Sequence, residues 1–184
     1  MKIAIINGSI RLGRSSDGVV DWVAAQAAEH GGADFEVVDL AAFNVPLLTS
    51  PVIPGMANKQ YDDPAVQAWS DAIDAFDGFI LVTPEYNHGV PGALKNAFDS
   101  LSGEWQRKTI AFVSYGADNG VRAVEQWRQI VANFSMHDIR TQLSLGLFTD
   151  FADGKFAPQE RRVGEAKNLF DDLLKTTEFF ENAN

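Results

Sequence analysis

Strand-like and helix-like segments alternate along this chain, and that alternation restricts the fold more than any other feature. An apolar run, KIAII from Lys2 to Ile6, leads to a helical pattern from about Asp17 to His30 with Val19, Val20, Val23 and Ala27 on one face. Gly31 and Gly32 stop that helix, and DFEVVDL, Asp34 to Leu40, reads as a second strand. After a long connection, Ala41 to Asp62, Asp63-Pro64 reads as an N-cap and first-turn proline for a helix with Val66, Trp69, Ile73 and Phe76 in phase. GFILV, Gly78 to Val82, is a third strand, and ALKNAFDSL a helix beyond the next loop. KTIAFVS, Lys108 to Ser114, is a fourth strand, and its helix carries Val124, Trp127, Val131 and Phe134. DIRTQLSL, Asp138 to Leu145, is a fifth, and a last helix after Pro158 carries Val163, Ala166, Phe170 and Leu173. Strands separated by helices form a parallel sheet with right-handed crossovers.

The strand compositions order that sheet. Strands one, three and four are unbroken apolar runs, as strands covered on both faces must be. Strands two and five carry polar residues (Glu36; Arg140, Gln142), which suits edges. The order 2-1-3-4-5 follows, the flavodoxin-like doubly wound five-stranded parallel sheet with helices on both faces. The dinucleotide-type order would place the apolar third strand at an edge. In the favoured order a ligand sits beyond the C-terminal strand ends, where strands one and three part. Three loops meet there: GSIRLGRSS, TPEYNHGVPG and YGADNG.

Composition narrows the function classes. The 184 residues suit a single domain, 1–184, with a substantial core. The absence of cysteine excludes disulfides, thiolate chemistry and iron–sulfur ligation. A net charge of −10 argues against nucleic acid and anionic membranes as partners, though it also serves solubility. No apolar run is long enough to span a bilayer, and MKIAIING lacks the order of a signal peptide, so a cytoplasmic address is expected. His30, His88 and His137 show no metal-ligand spacing.

Against that acidic background the first loop is basic. It precedes a helix N-terminus, where free N–H groups and the helix dipole favour an anion. Ser9, Ser15 and Ser16 offer hydroxyls, and Arg11 and Arg14 offer forked guanidinium groups. This is the composition of a phosphate cup, without the Gly-Lys-Ser/Thr of a P-loop or the Gly-x-Gly-x-x-Gly of a dinucleotide fold. The alternative is an N-cap serine beside solvent-exposed arginines. In the second loop Tyr86, Asn87 and Gly89 would suit the wall of a flat heteroaromatic ring, or form a proline-bracketed turn packed on the core. Glu85 has no visible acid–base partner. The third loop places Tyr115 beside Gly116 and would otherwise be a glycine turn capped by Asp118 or Asn119.

GSIRLGRSS after the first strand, PEYNHGVPGALKNAFD after the third and SYG after the fourth resemble the NADPH-dependent FMN reductase family, which includes quinone, chromate and azo reductases. The resemblance runs from about Lys2 to Phe134 and extends loosely to the end. It implies a flavodoxin-like fold, non-covalent FMN, and NADPH or NADH as hydride donor. Electrons would pass to a small-molecule acceptor: a quinone, free flavin, an azo dye or an oxidised metal ion. By matching positions, Ser9, Arg11 and the Arg14, Ser15, Ser16 stretch hold the FMN phosphate. Pro84, Glu85, Tyr86 and Asn87 line the isoalloxazine ring, and Ser114, Tyr115 and Gly116 pass along the ring and ribityl side. No side chain is expected to act as a catalytic acid, base or nucleophile.

Asp17 stands where some family members have a neutral asparagine, which is unfavourable beside a phosphate unless the carboxylate points away or caps the helix. The family usually forms homodimers or homotetramers; Trp105 and Phe98 would serve such a contact or the core. The connection Ala41–Asp62, through Phe43 or Tyr61, would shape the open side of the flavin or cover the core. The rival readings are a flavodoxin-like electron carrier without NAD(P)H activity, a receiver domain lacking the acidic cluster that chemistry needs, and a flavin-free regulator.

Overall fold

The computed structural model describes residues 1–183. Strands β1 (Lys2–Asn7), β2 (Asp34–Asp39), β3 (Gly78–Pro84), β4 (Thr109–Gly116) and β5 (His137–Gly146) form one parallel sheet in the order β2-β1-β3-β4-β5. Among the described residues five helices accompany it: α1 (Ser16–His30), α2 (Pro64–Asp74), α3 (Gly92–Asp99), α4 (Val121–Ala132) and α5 (Arg161–Ala183). The order is the one the strand polarity predicted, with the two mixed strands at the edges.

Side chains alternate across the inner strands and feed two cores. Ile3, Ile5, Ile80, Val82, Ala111 and Val113 face α1 and α5. Ala4, Ile6, Phe79, Leu81, Ile110 and Phe112 share the second core with Trp69, Phe98, Trp105 and Trp127. Phe98 and Trp105 are stacked at 4.0 Å and fully buried, so they belong to the core and not to a subunit contact. Val163, expected on the buried stripe of the last helix, is half exposed; Arg162 is the buried residue of that turn, and Leu169 joins Ala166, Phe170 and Leu173 farther along.

Local signals explain the element ends. Asp63 accepts hydrogen bonds from the backbone N–H groups of Ala65 and Val66, and Pro64 starts α2. β3 and β4 run two residues past their expected ends, so Thr83, Pro84, Tyr115 and Gly116 are strand rather than loop. A two-stranded hairpin of β6 (Phe151–Ala152) and β7 (Lys155–Phe156) turns through Asp153 and Gly154, both at positive φ. It packs Phe156 against Trp22 of α1. Behind it Arg162 holds the fully buried Asp150 through Nε and Nη2 at 2.9 and 2.8 Å, fastening α5 to the end of β5.

The connection from Ala41 to Asp62 holds two short 3-10 turns, Leu40–Ala42 and Pro54–Met56. Its aromatic residues cover the core. Phe43 packs edge-on against Trp69 at 5.1 Å, and the Tyr61 hydroxyl donates to the buried Glu104 at 3.0 Å. The Asn96 amide fixes its middle, accepting from Leu48 N and donating to Pro46 O.

Candidate functional site

The sheet order makes the site. The C-terminal ends of β2, β1, β3 and β4 lie side by side, so the chain leaving each strand meets its neighbours. Gly8 follows β1 and donates to Val82 O at 2.9 Å. A Cβ there would stand 2.4 Å from Leu94 Cδ2 and 2.7 Å from the Val82 oxygen, so only glycine lets the loop hug β3. Ser9, buried next to it, shares a hydrogen bond of 3.1 Å with the Tyr86 hydroxyl.

The loop ends at the N-terminus of α1. Ser16, the first helical residue, is wholly buried, and its Oγ has no hydrogen-bond partner among the described residues. The Tyr115 phenol lies close by. Burial pushes it up to about 12, against the opposing influence of the Ser16 and Ser9 hydroxyls and the Arg11 charge. Arg11 itself is exposed, and its guanidinium makes no ion pair or hydrogen bond among the described residues. Ser15 occupies the N-cap position, exposed, with no side-chain capping bond. A helix end so arranged offers free N–H groups, an unsatisfied hydroxyl and an unpaired cation, which together suit an anion.

Arg14 stands apart from these groups. Its Nε donates to Asp17 Oδ1 at 2.7 Å, its Nη1 to Ser9 O at 2.5 Å and to Asp39 Oδ1 at 2.8 Å, and its Nη2 to Asp39 Oδ2 at 2.6 Å. The Arg14 fork holds the Asp39 carboxyl below the usual carboxylate range, against the effect of burial. Asn7 Nδ2 donates to the same Asp17 oxygen at 2.9 Å. Asp17 therefore points at Arg14 and Asn7, which answers the question its presence raised.

The second and third loops are clamped together. Glu85 turns to α4, where it accepts from the Arg122 backbone N–H at 3.1 Å and from Arg122 Nη1 at 2.9 Å. It supplies from a distance the cap that Gly120, at φ 71°, does not. Glu85 N also donates to Tyr115 O, tying the end of β3 to β4. Tyr86 to Gly89 form a tight turn whose middle residues, Asn87 and His88, both have positive φ and are exposed. Ser114 Oγ donates to Asn119 O at 2.8 Å and shapes the third loop.

Of the residues singled out in the sequence, Ser9, Arg11, Ser16, Tyr86 and Tyr115 converge at the cup. Ser15 lies at its rim and Arg14 beneath it. Pro84, Glu85, Asn87, Ser114 and Gly116 lie along the adjoining strand ends and turns. Asn7, Asp39 and Arg122 take part in this architecture without having been expected to. The sheet order held the signal for Asp39, because in parallel register it is paired with Asn7.

A family profile described as NADPH-dependent FMN reductase matches residues 1–150. An NAD(P)H-dependent FMN reductase of Nectria, ntnL, is 34% identical over 185 residues, covering 95% of this chain and 92% of its own length. An NAD(P)H-dependent FMN reductase of Schizosaccharomyces pombe is 32% identical over 181 residues, covering 96% and 90%. Among solved structures, the FerB flavoenzyme NAD(P)H:(acceptor) oxidoreductase of Paracoccus denitrificans superposes with a TM-score of 0.77 over 97% of this chain and 98% of its own, at 18% identity, a likeness of fold.

Proposed function

The chain belongs to the NADPH-dependent FMN reductase family, and on that premise we propose that the crevice between the three loops holds FMN and serves the transfer of electrons from a reduced nicotinamide nucleotide to small acceptors. The protein is an NAD(P)H-dependent FMN/quinone reductase. The observation that carries the reading of the site is Ser16 Oγ, fully buried at a helix N-terminus and without a partner among the described residues. A buried hydroxyl left unpaired weakens a fold, so its presence is explained by a ligand that pairs it.

The residues fit the cofactor. Ser9, Ser15, Ser16, the N–H groups opening α1 and the unpaired Arg11 would hold the phosphate. Backbone groups of Pro84 to Asn87 and of Ser114 to Gly116 would line the ring and the ribityl chain. Glu85 keeps these two walls in register through Arg122 and Tyr115 O. Bound FMN supplies the redox chemistry, accepting hydride and releasing electrons to the acceptor. The chain supplies position and donors, and no side chain acts as acid, base or nucleophile. Quinones, free flavin, azo dyes and oxidised metal ions are the acceptor classes.

We further infer a homodimer or homotetramer working in the cytoplasm. Residues 41–58 contain no charged side chain, and Leu47, Ile53 and Met56 on them are largely exposed, which supports a subunit contact on a chain of net charge −10. Sedimentation showing a strict monomer would reject this.

The test of the function is spectroscopic. The purified protein loaded with FMN should show a flavin spectrum that bleaches on adding NADPH or NADH and recovers on adding a quinone. A protein that takes up no FMN would refute the site. One that binds FMN but is not bleached by either nucleotide would be an electron carrier.

A further inference from the structure

Building on the FMN reading, we propose that the two arginines of the first loop have separate duties: Arg14 is a positioning residue that builds the cup and does not touch the phosphate, and Arg11 is its sole cationic side-chain contact. The sequence alone treats the pair as equivalent.

The donor count separates them. A guanidinium has five N–H donors in a fixed plane. In Arg14 four of them are already directed at acceptors: Asp17 Oδ1, Ser9 O, Asp39 Oδ1 and Asp39 Oδ2. The fork to Asp39 is bidentate, the geometry in which arginine binds a carboxylate most strongly. One Nη2 N–H is left over, so a phosphate could take Arg14 in a two-point grip only by breaking at least one charge-assisted bond.

The charge count agrees. One guanidinium lies between two carboxylates, so the cluster Arg14, Asp17 and Asp39 carries a net charge of −1 and offers an anion no attraction as a unit. Arg14 is also well covered, with 13% of its side chain exposed. Arg11 is the opposite in each respect: exposed, unpaired among the described residues, and close enough for its charge to act on the Tyr115 phenol at the floor of the cup.

The bonds of Arg14 show what it does. Ser9 O lies in the first loop, Asp17 in the first turn of α1, and Asp39 at the end of β2, where its carboxylate also accepts from Ala41 N. One side chain thus ties the loop to the helix that follows it and to the neighbouring strand. It also neutralises Asp17, the one acidic residue in the first turn of α1.

Two measurements test the assignment. First, wild type, Arg11→Ala and Arg14→Ala are titrated with FMN and with riboflavin, which lacks the phosphate. Arg11→Ala should lose about 10- to 100-fold in FMN affinity, as expected for a charge-assisted contact, and leave riboflavin affinity and the flavin-free melting temperature unchanged. Arg14→Ala should lower the flavin-free melting temperature by about 4 °C or more. Second, the Asp39 carboxyl is titrated by NMR in wild type with and without FMN. It should stay below the usual carboxylate range in both states, and return toward it in Arg14→Ala.

A rise of the Asp39 value in wild type on FMN loading would show Arg14 leaving for the phosphate and would overturn the proposal. Unchanged discrimination between FMN and riboflavin in Arg11→Ala would do the same. If Arg14→Ala does not fold, the wild-type titration and Arg11→Ala decide alone. A wild type that binds neither flavin would remove the FMN site, and this assignment with it.

Discussion

At the scale of single residues, the proposed site is marked by groups that the fold leaves unsatisfied or constrained. Ser16 is the sharpest case. Replacing a hydrogen-bonded buried serine by alanine destabilises, whereas Ser16 Oγ has no bond to lose. In Ser16→Ala the flavin-free melting temperature should hold or rise, while FMN affinity falls about tenfold through loss of a bond to an ionised group. A matched drop in both would mark Ser16 as structural. Gly8 shows the converse. Its closeness to Leu94 and the Val82 oxygen leaves no room for a methyl group, so Gly8→Ala should destabilise the flavin-free protein by about 1–3 kcal/mol in a urea titration. The sequence made Ser9, Ser16 and Tyr86 legible because their types carry their use. It left Arg11 and Arg14 indistinguishable, since only three-dimensional neighbours decide which guanidinium is already bound. Asn7 and Asp39 escaped notice for the same reason.

At the scale of elements, the sheet was legible because burial on both faces writes an unbroken apolar run, while an edge admits polar residues. Strand ends were not, because Thr83, Pro84, Tyr115 and Gly116 are turn-type or mixed residues that tertiary pairing draws into strands. The β6–β7 hairpin had a signal in Asp153-Gly154 between Phe151 and Phe156, but strands of two residues fall below any periodicity. Nothing local announces the fastening of α5 to β5. Burial alone would raise the Asp150 carboxyl; the Arg162 fork, then the Gly146 N–H, the Thr149 hydroxyl and the Gln159 N–H, outweigh it and hold Asp150 at about 2. Its folded value is thus below its unfolded one. The stabilisation it gives is complete above the unfolded value of 3.8 and is lost as pH falls toward 2. In urea titrations wild type should exceed Asp150→Asn in stability at pH 6, and the gap should close progressively between about pH 4 and pH 2. A gap independent of pH would show that the carboxylate's charge contributes nothing.

At the scale of the whole molecule, the charge of the chain and the charge of its cofactor have the same sign. FMN brings a phosphate of about −1.5 to −2 to a protein of net charge −10. The two effects act over different distances. In the proposed binding mode Arg11 and the N–H groups of α1 act in contact, whereas the ten-charge excess extends over a Debye length, about 30 Å at 0.01 M salt and about 8 Å at 0.15 M. The base of the cup adds no basic funnel, because Arg14 is more than balanced by Asp17 and Asp39. Encounter is governed by the long-range field and residence by the contacts. The on-rate for FMN should therefore rise with salt between about 0.01 and 0.15 M, by a few-fold, as the repulsion is screened. Riboflavin, uncharged, should associate at the same rate throughout, which separates screening from any effect of salt on the loops. Stopped-flow quenching of flavin fluorescence measures both. An FMN on-rate that falls with salt would mean that attraction at the cup reaches beyond its contacts, and would contradict the net negative charge of the Arg14 cluster beneath it.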